Sequence, residues 1–166
     1  CKKSSAAFYF SLSTDQWQAA VPKDLNDLAL GKGNIHRRHY AYGCFYWDWV
    51  EFGRKKLLLL DTTKMEFFIA NPPRRKWSKV GIAIVEAGEG RLGIFGFHCE
   101  TPSDLIYTVA QNKGESPSQW QMEKTISLDS GYKYFIRDAT QRYLLLTKIE
   151  ASSLENPLAG YFSMDF

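Results

Sequence analysis

Helical periodicity is nearly absent from these 166 residues. The best helical stretch is "PKDLNDLALGKG", Pro22 to Gly33, where Leu25 and Leu28 stand three apart before a glycine stop. That spacing allows a short helix or turn and excludes a helical fold. Cysteine is scarce too: Cys1, Cys44 and Cys99, without C-x-x-C spacing. An odd, sparse set argues against a disulfide framework and fits a reducing compartment, so the expected location is cytoplasmic or nuclear. The longest aliphatic run, Leu57 to Leu60, is far too short to span a bilayer. No charged-then-apolar leader opens the chain, and its start at Cys1 rather than Met reads as a fragment or a processed form. The net charge of +3 is too small to imply nucleic-acid binding by itself.

Aromatic residues are plentiful, at 15% of the chain, and they favour strands and pack well on pleated surfaces. Short apolar or alternating runs broken by turn residues predict strands near Ala6–Leu12, Gln16–Ala20, Arg38–Tyr42, Cys44–Trp49, Lys56–Asp61, Met65–Ala70 and Val80–Glu86. They continue at Arg91–His98, Leu105–Ala110, Gln119–Ser127, Tyr132–Arg137, Arg142–Ile149 and Gly160–Asp165. "KLLLLD" is apolar on both faces and belongs inside a stack of sheets. "YKYFIR" alternates, with Tyr132, Tyr134 and Ile136 on one face.

A strand, a polar turn and a second apolar strand recur in "FYFSLSTDQWQAAV", "KLLLLDTTKMEFFIA" and "LIYTVAQNKGESPSQWQMEKTISL", and cut short in "GYFSMDF". The turns fall roughly 50 residues apart, the range of four-stranded propeller blades. Residues 1–166 therefore read as one all-β domain, a β-propeller-like stack of antiparallel four-stranded blades that is incomplete, at about three blades. Such a stack leaves unpaired edges, the one near Tyr161 to Phe166 included. The N-terminal strands, a second copy or a related partner could each supply the missing strand.

"VEAGEGRLGIF" places Gly88, Gly90 and Gly93 in the G-x-G-x-x-G spacing of a phosphate-cradling loop. Such a loop must run from a strand into a helix, whose free N–H groups meet the phosphate. Here "RLGIFGFHC" follows, and Ile94, Phe95 and Phe97 read as strand. The glycines are expected to make a strand–strand hairpin that binds no nucleotide.

The chemistry-bearing residues point to no catalytic, metal or cofactor site. His36 and His39 flank Arg37 and Arg38, and two histidines three apart on a strand face opposite sides, so a solvated basic turn is expected. His98 and Cys99 are neighbours pointing to opposite faces, Cys44 has no base nearby, and both cysteines read as buried small hydrophobes. Glu86 and Glu89 read as solvent-facing turn residues. Trp17 and Trp120, each just after a turn, read as residues that pack one blade on the next. Trp47 and Trp49 share a strand face. The basic runs "GRKK" and "PPRRKW" stand out more. Arg54, Lys55, Arg74, Arg75, Lys76 and Trp77 are candidate partner-binding residues, because Arg beside Trp is typical of protein–protein hot spots. Tyr161 and Phe162 join them at the open edge.

Longer phrases carry a resemblance. "RHYAYGCFYWDW", "KLLLLDTTKMEFFIANPP", "GIAIVEAGEGRLGIFGF" and "QNKGESPSQWQMEKTISLDSG" resemble the C-terminal associated region of plant F-box proteins, abundant in cereals, from about Ala7 to Phe166. The resemblance implies a propeller-like domain that binds proteins and, in full-length members, presents substrates to a ubiquitin ligase. It implies no catalysis and no cofactor. The F-box itself is not found: "VPKDLNDLAL", Val21 to Leu30, imitates its opening, but strand-like "HYAYGCFYW" soon follows. The chain alone is therefore expected not to bind the Skp-type adaptor. The expected partner is a protein, either a related F-box-type protein or a second copy, and neither a membrane nor nucleic acid. A relative cut down in this way would act as a decoy or inhibitor, or pair with a related protein in a toxin-and-antidote manner. A nucleic-acid-binding module using the basic loops and an enzyme with a fold-assembled site are the competing classes.

Overall fold

The computed structural model describes residues 7–20, 35–51, 54–74, 77–111, 119–140, 142–151 and 159–165. The helical stretch at Pro22–Gly33 and the F-box-like phrase at Val21–Leu30 lie outside them. Among the described residues every regular element is a strand, and there are thirteen. β1 (Ala7–Ser11) and β2 (Gln16–Ala20) form a hairpin. β3 (Ile35–Ala41), β4 (Cys44–Glu51), β5 (Arg54–Asp61) and β6 (Glu66–Ala70) follow as an antiparallel meander. β7 (Trp77–Glu86), β8 (Leu92–His98), β9 (Asp104–Ala110) and β10 (Trp120–Ser127) make a second one. β11 (Tyr132–Ala139), β12 (Tyr143–Glu150) and β13 (Gly160–Asp165) make a third sheet of three strands.

The first strands of the three sheets are neighbours: β7 lies beside β3 and beside β11. Innermost strands gathered in this way, with later strands stepping outward, give an incomplete propeller-like all-β stack that does not close into a barrel. The repeat is visible in the backbone. Four-residue turns join β1 to β2 and β5 to β6, and each ends on a non-glycine residue at positive φ, Asp15 at 51° and Met65 at 53°. The β1–β2 hairpin thus matches the third and fourth strands of a sheet. β1 and β2 form a sheet of their own, separate from β11-β12-β13, so the N-terminal strands do not complete the last sheet.

Two cores separate the three sheets. Leu57 and Leu59 meet Ile82, Ile84, Leu92 and Ile94 in the first. Ala83, Val85, Phe95 and Phe97 meet Tyr134, Ile136, Leu144 and Leu146 in the second. The middle sheet is therefore covered on both faces, and β8 is buried from Leu92 to Phe97. Leu57 to Leu60 are all buried, as a run apolar on both faces requires. Tyr132, Tyr134 and Ile136 line the second core together. Burial raises the pKa of the Tyr134 phenol above 10.0, with the Asp129 charge adding to it.

The glycine fingerprint is a hairpin between β7 and β8. The Ala87 N–H donates to the Arg91 carbonyl at 2.9 Å, and Gly88 and Gly90 sit at φ of 80° and 73°. Gly93 and the nearby Gly96 serve packing instead. A Cβ on Gly93 would lie 2.7 Å from the Tyr107 ring, and one on Gly96 would lie 2.5 Å from the Trp77 ring. Each glycine lets an aromatic ring lie flat across β8.

Three expectations are corrected. The segment read as a solvated basic turn runs as strand from Ile35, and pairing with β4 turns His39 into the interior while Arg38 stays exposed. Cys44 is buried, but Cys99 is exposed, because β8 ends at His98 and Cys99 lies in the bend beyond. Trp17 is 71% exposed rather than packed between sheets, and its β1–β2 hairpin is a two-stranded sheet of its own.

Candidate functional site

Two surfaces hold the residues singled out by the sequence. The first is the end of the stack where β5 and β7 begin. Arg54 opposes Glu51 at the start of β5, and Trp77 opposes His98 at the start of β7. The Lys55 ammonium donates to the Ser78 carbonyl at 3.3 Å, which brings the start of β5 to the start of β7. Lys55 is half-buried, and that burial lowers its pKa from 10.5 against the opposing pull of the buried Asp48 carboxylate. It ties the first sheet to the second. Arg74 is exposed. Arg75 and Lys76, and the side chain of Arg54, lie outside the described residues. Trp77 turns inward: it is buried in the first core, and its Nε1–H donates to the Pro73 carbonyl at 3.1 Å. At the same end of the second sheet the Ser127 hydroxyl donates to Asp104 at 2.7 Å. Hydrogen bonds from Ser127 and Thr101 hold the Asp104 carboxyl below the usual carboxylate range.

The second surface is the outer face of the third sheet. β12 reads "YLLLTKIE", apolar on both faces like β5. Leu144 and Leu146 fill the second core, as their parity requires. Tyr143 and Leu145 point the other way and are 44% and 39% exposed. Thr147, between them and Tyr161 in the ladder, is buried, and its hydroxyl accepts from Arg137 Nε at 2.9 Å. Arg137 lies over the Phe135 ring at 5.6 Å. Tyr161 opposes Thr147 and is 70% exposed. Arg142 flanks the patch, 5.5 Å over the Tyr143 ring and 3.1 Å from the Asp165 carboxylate. The face therefore gathers Tyr143, Leu145 and Tyr161, with Arg137 and Arg142 beside them.

Of the two candidates on β13, only Tyr161 belongs to this face. Phe162 packs inward and meets Tyr134 edge-on, with ring centroids 6.1 Å apart. Tyr143, Leu145, Arg137 and Arg142 were not among the sequence candidates. The signal for them was the doubly apolar run in β12 at the end of the repeat. The two tryptophans placed after turns part company. Trp120 packs against the first core and donates from Nε1 to the Asn71 carbonyl at 3.1 Å, joining the outer strand of the second sheet to the end of the first. Glu86 is a structural residue: its carboxylate accepts from the Tyr42 N–H at 2.8 Å, bracing one hairpin on the next.

Among the described residues, no group of three or more His, Cys, Asp or Glu is placed to hold a metal, and no helix is long and apolar enough to cross a membrane. The fold defines the chain as a propeller-like stack of antiparallel sheets with an uncovered aromatic face. No family model, curated protein or solved structure matches it.

Proposed function

We propose that this chain is a non-catalytic protein-interaction module, comparable to the substrate-recognition region of plant F-box proteins, acting in the cytoplasm or nucleus. The observation that supports it is β12. A strand with the sequence of a doubly covered core strand leaves Tyr143 and Leu145 open to solvent, beside Tyr161 and Arg142. Aromatic patches rimmed by arginine mark protein-binding surfaces more often than solvent alone requires. Such a module would act as a decoy or pair with a relative. The test is capture of partners by the full chain and by a Leu145→Asp, Tyr161→Ser variant with an unchanged circular dichroism spectrum. Partners lost with the variant support the module. A partner set unchanged by the variant rejects this face.

The contact of Lys55 with Ser78, the residue after the second basic run, supports a second reading, a nucleic-acid site at that end. Its test is salt: phosphate contacts make affinity fall steeply as salt rises, whereas an aromatic protein interface responds weakly.

A further inference from the structure

Soluble proteins shield exposed strand edges by shortness, charge, proline or bulges. Most edges here follow that rule. β10, at the outer edge of the second sheet, has a register shift between Met122 and Lys124 and carries Glu123 and Lys124. β3, β7 and β11, at the inner edges, are each interrupted by a register shift. β1, β2 and β6 are only five residues long. β13 has none of these devices beyond one acidic residue at its end. Its six residues, Gly160–Asp165, include no lysine, arginine or proline, and they pair with β12 in unbroken register. Among the described residues β12 is its sole sheet neighbour. The sheet it closes has three strands where the two before it have four.

We propose that the free edge of β13 pairs antiparallel with β13 of a second copy of this chain, about a two-fold axis at Ser163. The pairing is independent of the role assigned to the outer face. Partners in an antiparallel ladder must share a face, so a symmetric pairing has to centre on a residue rather than between two. Centring on Ser163 gives the longest ladder. Tyr161 then opposes Asp165, Phe162 opposes Met164, and Ser163 opposes its own copy. No like charges meet, since Asp165 is the one charged residue of the strand and is already held by Arg142 at 3.1 Å. Phe162 and Met164 are half-buried on the second core, and the ladder sets ring against thioether across the junction. The third sheets of the two copies become one continuous sheet, and the edge N–H and C=O groups find partners. An edge ladder buries less than a standard interface, so the dimer is weak and concentration-dependent.

The full chain in a Cys1→Ser, Cys99→Ser background tests this. Directly opposed ladder residues have Cα atoms roughly 4.5 to 5.5 Å apart, within disulfide range. Ser163→Cys is expected to give a disulfide-linked dimer on mild oxidation, faster than a Thr125→Cys control on exposed β10. In sedimentation equilibrium the chain without added cysteines is expected to show a monomer–dimer equilibrium. Ser163→Lys, which sets two ammonium groups face to face, should weaken it roughly fivefold, while Met122→Asp, on the exposed edge strand β10, leaves it intact. Ser163 is exposed, so Ser163→Lys should leave the circular dichroism spectrum unchanged. Three results would overturn the proposal. The first is a monomer at every concentration, including one whose β13 edge is filled by another protein. The second is cross-linking at Ser163→Cys no faster than the control. The third is a dimer broken by Met122→Asp but not by Ser163→Lys.

Discussion

At Gly96 a missing side chain decides the packing of a large one. The Trp77 ring occupies the space where a Cβ would stand, and the ring is held by its bond to Pro73. Gly96→Ala should therefore cost roughly 1–3 kcal/mol, the range for overpacking a filled core. Gly90→Ala meets no neighbour within 4 Å and costs only the backbone strain of its positive φ, about 1 kcal/mol. Urea denaturation of the two variants should rank Gly96→Ala as the more destabilised, and the reverse order would mean that Trp77 is not where it is placed. Ionisation gives a second residue-scale prediction. Burial raises the pKa of the Tyr107 and Tyr134 phenols above 10.0. In the window above pH 10.0 the unfolded chain has lost protons that the folded chain retains, so stability falls as pH rises. The contribution is complete below the unfolded pKa and is lost through the folded one. Unfolding free energy measured across that window should drop less steeply in Tyr107→Phe and Tyr134→Phe than in the parent chain. The sequence made the hairpin glycines legible, because a strand follows Gly93. It could not show that Gly93 and Gly96 make room for rings from Tyr107 on β9 and Trp77 on β7, since those contacts come from register.

Strands were the most legible level. β2 and β13 fall where alternation and turn residues put them, at Gln16–Ala20 and Gly160–Asp165. β3 begins earlier than expected, at Ile35. There the basic run "HRRH" hides a strand whose ladder is broken by a register shift between Ile35 and Arg38. Tertiary pairing overrides local polarity in that segment. β5 and β12 carry similar apolar runs, yet only in β5 is every leucine buried. Composition tells that both faces of a strand suit a core, but not which sheet is last in the stack, and so Tyr143 and Leu145 escaped notice. Between elements, the Trp120 indole bond to Asn71 links β10 to the connection after β6. Trp120→Phe keeps most of the ring and removes the donor. It should cost about 0.5–1.5 kcal/mol, the usual net worth of one hydrogen bond, in thermal or urea unfolding. No change would mean that ring packing alone joins the two sheets there.

At the scale of the whole molecule three sheets stack in chain order, the middle one covered on both sides. β8 lies at its centre, hydrogen-bonded to β7 and β9 and buried on both faces. The β1–β2 hairpin is paired only with itself. Backbone hydrogen exchange reads this order directly, because amides that open only with global unfolding exchange slowest. Measured residue by residue in the monomer, exchange should be slowest across Leu92 to Phe97 and faster across Gln16–Ala20 and Gly160–Asp165. Exchange across Leu92 to Phe97 as fast as in the β1–β2 hairpin would contradict a middle sheet enclosed by its neighbours.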